Sequence, residues 1–320
     1  MSARLILIHG RGTQPDAEAL KTEWLRCLEH GLARDHGESL ETVSVDLVYY
    51  GDICEKLDPD QAKFDPVLDR ADRANALDSL LALRSKEFRR ARYEAVPGQS
   101  PLKEFLSDLG VPLSRALGLA NKRLAHFYPE LTAYWQDEDL ARDLRARMSE
   151  PLSSALQNDE HVLVISHCTG TVLAYDAFWD VSQTVSSAEQ RIYGWITLGS
   201  PLADDDVRRR LGGQPSGFPN LLINWFNLAA EDDPVCHDET VANDFKDMLT
   251  ERHISRIQDF HIYNLTERYG RSDPHDALGY LCHPRTAALL HDWLSASPGT
   301  SAPAPSDGDP RPPDSSSPDT

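Results

Sequence analysis

The residues best suited to chemistry sit in one short run, Ser166-His167-Cys168-Thr169-Gly170. It follows the apolar stretch Val162-Leu163-Val164-Ile165 and leads at once into a helix-spaced apolar stretch. A thiol on a sharp strand-to-helix turn projects from the carboxyl edge of a sheet, where a substrate can meet it. The helix behind it turns its amides and positive dipole end toward the same spot, which stabilises a thiolate or an oxyanion. A turn this tight calls for small residues two before and two after the nucleophile, packed against each other, and Ser166 and Gly170 meet that demand. The competing reading of a cysteine at a strand end is a buried structural residue, so the rest of the chain decides between them.

The surrounding elements alternate. Leu5–Ile8 reads as a short buried strand stopped by His9-Gly10-Arg11-Gly12, and Leu20, Trp24, Leu28 and Gly31 mark one face of a helix. Further strands are expected at Thr42–Tyr50, His161–Ile165, Ile192–Leu198, Leu221–Leu228 and Phe260–Leu265. Helices are expected at Asp139–Leu156, Thr171–Val181 and Pro284–Leu294. Such alternation implies an α/β fold with a mostly parallel sheet and helices on both faces. Residues 53–137 break the rhythm. They are helical in character and cut by prolines, and read as an insertion over one end of the sheet, a candidate lid. The core is then 1–52 and 138–296, and the Pro-, Ser- and Asp-rich tail 297–320 is expected to be disordered.

Four stretches, taken in this order, resemble the α/β-hydrolase superfamily, its bacterial lipase-like members in particular. Leu7-Ile8-His9-Gly10-Arg11-Gly12 resembles the loop that supplies an oxyanion amide. Ser166–Gly170 resembles the nucleophile elbow, Trp195–Leu202 the strand that follows it, and Asp233-Pro234-Val235 the acid-bearing loop. The resemblance covers 5–52 and 138–295. It implies Cys168 as nucleophile, Asp233 as acid, a late histidine as base, and the Arg11 and Thr169 amides as oxyanion donors, in the family's chain order of nucleophile, acid, base. His275 and His283 both lie in the connection that carries the base. His275 is favoured from mid-loop. His283 directly precedes Pro284, a helix-start position usually spent on capping, and stays as the alternative base. Asp232 and Asp204 are lesser alternatives for the acid. His9 would brace its loop by hydrogen bonding, and His167 would point away from the thiol. Cysteine stands where most relatives carry serine. Dienelactone hydrolases and polyhydroxyalkanoate synthases resemble this arrangement, and the synthases use it for acyl transfer. The expected activity is hydrolysis of an ester, thioester or related acyl bond through an acyl-cysteine. The alternatives are an acyltransferase with the same intermediate and a non-catalytic binding or effector protein of the same fold.

The bulk properties agree with a small-molecule enzyme. The chain has 320 residues, is 40% hydrophobic and carries a formal net charge of -19, which disfavours nucleic acid and anionic lipid as partners. The basic run Arg84, Lys86, Arg89, Arg90 and Arg92 is expected to be a solvated helix face. Five irregularly spaced cysteines do not make a disulfide framework, and neither a signal peptide nor a membrane span is evident. The expectation is a soluble, cytoplasmic protein without stable membrane insertion. Cys168, Cys236, His237, His275, Cys282 and His283 gather at one predicted edge, but their local spacing does not match zinc-ligand pairs. No metal is therefore expected, and no nucleotide-binding glycine pattern calls for an organic cofactor.

Overall fold

The central strands are apolar at successive positions, and alternate residues pack to opposite faces of one sheet. The computed structural model describes residues 2–57, 64–98, 129–158, 160–185, 190–214, 217–236 and 240–296. Strands β1 (Ala3–Ile8), β2 (Val43–Val48), β3 (His161–His167), β4 (Ile192–Leu198), β5 (Leu222–Ala230) and β6 (Arg256–Ile262) form a six-stranded parallel sheet in the order β2-β1-β3-β4-β5-β6. On β1 and β3, Ile6, Ile8, Val162 and Val164 face one core, while Leu5, Leu7, Leu163 and Ile165 face the other.

The second of these cores is closed by α1 (Ala17–His36), which buries Leu20, Trp24 and Leu28. Asp16 caps the helix by accepting the Ala19 N–H at 3.0 Å, and Gly37, at φ 71°, ends it in the left-handed region. Next come α2 (Gly51–Leu57), α3 (Pro66–Leu81) and α4 (Arg90–Tyr93), with Asp65 and Pro66 giving α3 a side-chain cap and a proline start. Then α5 (Pro129–Gln136) and α6 (Glu138–Gln157) lead into β3, and α7 (Gly170–Ser182) follows it. Residues of α6 and α7, such as Met148, Leu152, Val172 and Phe178, fill the first core. Two short helices, α8 (Asp205–Arg208) and α9 (Lys246–Thr250), precede the two-stranded hairpin β7 (Glu267–Arg268) and β8 (Arg271–Ser272). Finally α10 (Ala277–Leu281) and α11 (Pro284–Ser295) return to the α1 side, where Leu290 and Trp293 are buried.

Three sequence expectations shift. The third strand continues to His167, so the turn narrows to Cys168 and Thr169. The sixth strand spans Arg256–Ile262 rather than Phe260–Leu265, because pairing with β5 sets this half-buried edge strand, not its apolar content. The basic run lies on a 3-10 turn (Ser85–Glu87) and on α4 rather than on one helix face, and its five cationic side chains are exposed. Within 53–137, residues 58–63 and 99–128 lie outside the described residues, as does the whole tail 297–320. No described helix is long and apolar enough to cross a membrane.

Candidate active site

Strand order reverses between β1 and β3: the chain leaves β1 for β2 on one side and returns to β3 on the other. Loops at such a reversal diverge and open a crevice at the carboxyl edge of the sheet. The β1 loop and the Cys168 turn meet there. Cys168 has φ 53°, left-handed for a non-glycine residue and costing about 1–2 kcal/mol. The turn is held by its N–H to Leu198 O at 2.9 Å, and its carbonyl accepts from Thr171 N at 3.0 Å and Thr171 Oγ1 at 2.7 Å. Two glycines let β1 approach. A Cβ on Gly10 would lie 2.5 Å from Cys168 Cβ, and one on Gly170 would lie 2.2 Å from His9 O. The tightest constraint on residue 170 is therefore the β1 backbone, not Ser166. Ser166 Oγ instead accepts from Trp195 Nε1 at 2.7 Å.

Asp233 and His275 meet beside this turn. His275 Nδ1 lies 2.9 Å from both Asp233 carboxylate oxygens. Tyr280 Oη donates to Asp233 Oδ2 at 2.6 Å while accepting from Ala230 N at 2.9 Å, and Val235 N donates to Oδ1 at 2.8 Å. Gly199, at φ 56°, passes close to the pair, and a Cβ there would stand 3.0 Å from Asp233 Oδ2 and 3.1 Å from His275 Nδ1. Asn264 brackets the histidine by donating to Pro274 O at 2.9 Å and Asp276 O at 2.8 Å. His275 Nε2 is buried with no conventional hydrogen-bond partner among the described residues, and the Cys168 sulfur is close enough to favour the protonated imidazole.

The electrostatics follow from these contacts. Burial pushes the Cys168 thiol up, but His275, the Arg11 charge and the Arg11 backbone N–H at the sulfur outweigh it and bring the thiol below its ordinary range. Burial likewise opposes charge on His275, yet the Asp233 carboxylate and the Cys168 sulfur raise it well above an ordinary imidazole. Asp233 resists its burial through His275, Tyr280 and the Val235 amide and stays below the usual carboxylate range. The triplet is thus biased toward thiolate, imidazolium and carboxylate.

The flanking groups brace it. Burial lowers His9 to about 4, so it is neutral. Its Nε2 accepts from Tyr50 N at 2.9 Å, which leaves the proton on Nδ1 to donate to Gly10 O at 2.8 Å. His167 is lowered by burial to about 3 and directs Nε2 to His275 O at 2.8 Å, away from the thiol. Thr169 is the cap residue of α7, and its hydroxyl lies 3.4 Å from Tyr50 Oη.

The alternative residues are occupied elsewhere. His283 caps α11 by accepting Arg285 N at 3.0 Å and packs edge-on against Phe88. Asp232 accepts from Tyr93 Oη at 2.7 Å, and Asp204 caps α8 through Asp206 N at 2.8 Å. Among the described residues no group of three or more His, Cys, Asp or Glu side chains is placed to hold a metal ion, and His237 lies outside those residues. Sequence reasoning passed over Tyr280, Asn264, the bracing role of His167, and Glu130, whose Oε1 accepts the Gly12 N–H at 2.9 Å. Tyr280 sits between the two candidate histidines, a position that could have drawn attention to it. Glu130 and Asn264 carried no local signal. Compared with protein-family models, curated proteins and solved structures, the chain matches none.

Proposed function

We propose that the protein is an α/β-hydrolase that cleaves an ester, thioester or related acyl bond through an acyl-thioester on Cys168. The observation that carries this reading is the buried His275 imidazole, bonded to Asp233 on one nitrogen and facing the Cys168 thiol with the other. The sulfur attacks the acyl carbon, and the carbonyl electrons move to oxygen, where the Arg11 and Thr169 amides hold the charge. Collapse expels the alcohol or thiol, which takes its proton from His275. His275 then draws a proton from water, hydroxide adds to the thioester, and Cys168 leaves as thiolate. Asp233 keeps the ring oriented and favours its charged form. His275 supplies the base, because the His283 ring nitrogen Nδ1 is committed to its helix cap.

The segment 53–137 acts in this reading as an insertion at the edge of the site. Support comes from two of its described residues: Tyr93 bonds the acid loop at Asp232, and Glu130 bonds the β1 loop at Gly12. The test is turnover of p-nitrophenyl acyl esters and acyl-thioesters by the wild type and Cys168→Ala, with intact-mass detection of an acyl-enzyme. Activity lost in the variant and a wild-type adduct are expected. Equal rates for both proteins would remove Cys168 from the mechanism.

A further inference from the structure

Arg268, on β7, gives each of its three guanidinium nitrogens to a different carboxylate. Nε donates to Asp72 Oδ2 at 2.5 Å and Nη2 to Asp69 Oδ1 at 2.6 Å, both on α3, while Nη1 donates to Asp276 Oδ2 at 2.9 Å. Its neighbour Tyr269 adds two more ties to α3, from its N–H to Asp72 Oδ1 at 2.8 Å and from its hydroxyl to Asp69 Oδ1 at 3.0 Å. Asp276 directly follows His275, and both its carboxyl oxygens and its carbonyl are engaged. Oδ1 caps α10 through Leu278 N at 2.8 Å, and the carbonyl accepts from Asn264 Nδ2 at 2.8 Å. The helix it caps carries Tyr280, which bonds Asp233. Asp276 therefore joins His275 to the helix that holds Asp233, and Arg268 anchors Asp276 to α3.

Burial opposes the charge on Asp276, and Arg73 and Arg268 sustain it. A buried ion cluster adds little net stability over apolar packing. What a planar guanidinium adds is direction, because its fork fixes several carboxylates relative to one another. Direction is also what residue 275 needs, since its ring must meet Asp233 with one nitrogen and the thiol with the other. A displacement of 1 Å in a reacting group costs about 100-fold in rate. Resting on the acyl-cysteine reading, we propose that Arg268 is a positioning residue for His275, acting through Asp276.

The experiment compares the wild-type chain with Arg268→Lys, Asp276→Asn, their double variant and Arg4→Lys, each checked as folded by circular dichroism. Lysine keeps a cation beside Asp276 but loses the fork. Arg4 pairs with Asp46 at the amino end of the sheet, away from the site, and serves as the control. The first readout is thiolate ultraviolet absorbance against pH, with Cys168→Ala as the blank. His275 holds the thiol down against burial, so a displaced base lets the midpoint rise. Arg268→Lys is expected to raise that midpoint and to lower kcat for p-nitrophenyl esters about 10- to 100-fold with KM nearly unchanged. Asp276→Asn is expected to lower kcat as well, and the double variant to lose little more, because both changes cut one link. Arg4→Lys keeps the wild-type midpoint and kcat. A wild-type midpoint and kcat in Arg268→Lys, full additivity with Asp276→Asn, or equal changes in Arg4→Lys would overturn the assignment. Full activity in Cys168→Ala would instead sink the acyl-cysteine reading. The absorbance midpoint needs no turnover, so the two failures are distinguishable.

Discussion

Tyr280→Phe removes one oxygen atom and two hydrogen bonds at once. The phenol donates to Asp233 Oδ2 at 2.6 Å and accepts from the Ala230 amide at 2.9 Å, and Tyr280 is 0% exposed. Burial and the Asp233 charge hold the phenol well above its ordinary range, so it remains a donor across the neutral region. Loss of a hydrogen bond to a charged group costs about 1.5–3 kcal/mol, and an orphaned buried N–H about 1–3 kcal/mol. The two share one atom and are not additive, so a total of about 2–4 kcal/mol is expected. The loss also has a pH signature. The folded pKa of Asp233 lies below its unfolded value, so its contribution is present above the ordinary carboxylate range and fades as pH falls through that lowered value. The charge-dependent part of the Tyr280→Phe deficit fades with it. Equilibrium denaturation of both proteins at neutral and acid pH measures this. Tyr175→Phe is the control, since among the described residues that phenol oxygen has one hydrogen-bond partner, the neutral Gln214 Nε2 at 3.2 Å. A neutral-pH deficit under about 0.5 kcal/mol, or equal deficits in the two variants, would refute the role given to Tyr280.

Two other perturbations test the charge arrangement. In His275→Asn the thiol loses its main counter-charge, so burial dominates and thiolate ultraviolet absorbance should appear at higher pH than in wild type. An unchanged midpoint would separate the two residues. The same arrangement predicts a wild-type rate that falls in acid as the thiolate is protonated through its lowered pKa. In alkali the rate falls as the imidazolium is lost through the raised His275 pKa. Arg268→Ala should destabilise by about 3–5 kcal/mol, because Asp69, Asp72 and Asp276 lose a shared, 11% exposed partner. Asp276 opposes its burial through Arg73 and Arg268 and lies below the ordinary range. Its contribution is therefore lost in acid, and the Arg268→Ala deficit should narrow as pH falls, as urea titration at two pH values would show.

Sequence patterns located most of the sheet, because β1 and β3 carry unbroken apolar runs, Leu5–Ile8 and Val162–Ile165, and β4 is buried and mostly apolar. They misplaced β6, whose residues Arg256, Gln258 and Asp259 obey a neighbouring strand rather than burial. The β7–β8 hairpin went unseen because its turn is Tyr269-Gly270, with φ 51° and 72°, where Asn or Asp would have announced it. In the candidate site, the Cys168 turn was legible because strand, turn and helix demand a local composition. Asp233 and His275 were proposed from chain order and resemblance, and the structure sets them 2.9 Å apart. Tyr280, Asn264 and Glu130 act across distances along the chain that no local pattern encodes, and only the folded packing brings them to Asp233, His275 and Gly12.

The pairing of β1 with β3 has a topological consequence. Residue 3 is the register partner of residue 161, and the whole stretch between them is a loop closed by that ladder. The entropy of closing so long a loop grows only logarithmically, with each doubling of length adding about 0.6 kcal/mol. Flexible chain can therefore be added between the Arg11 amide and the Cys168 turn, at points that leave α1, β2 and α6 intact, by tens of residues with little thermodynamic effect on the ladder. The cost falls on kinetics instead, since contacts this distant in sequence form late and slow the search for the native state.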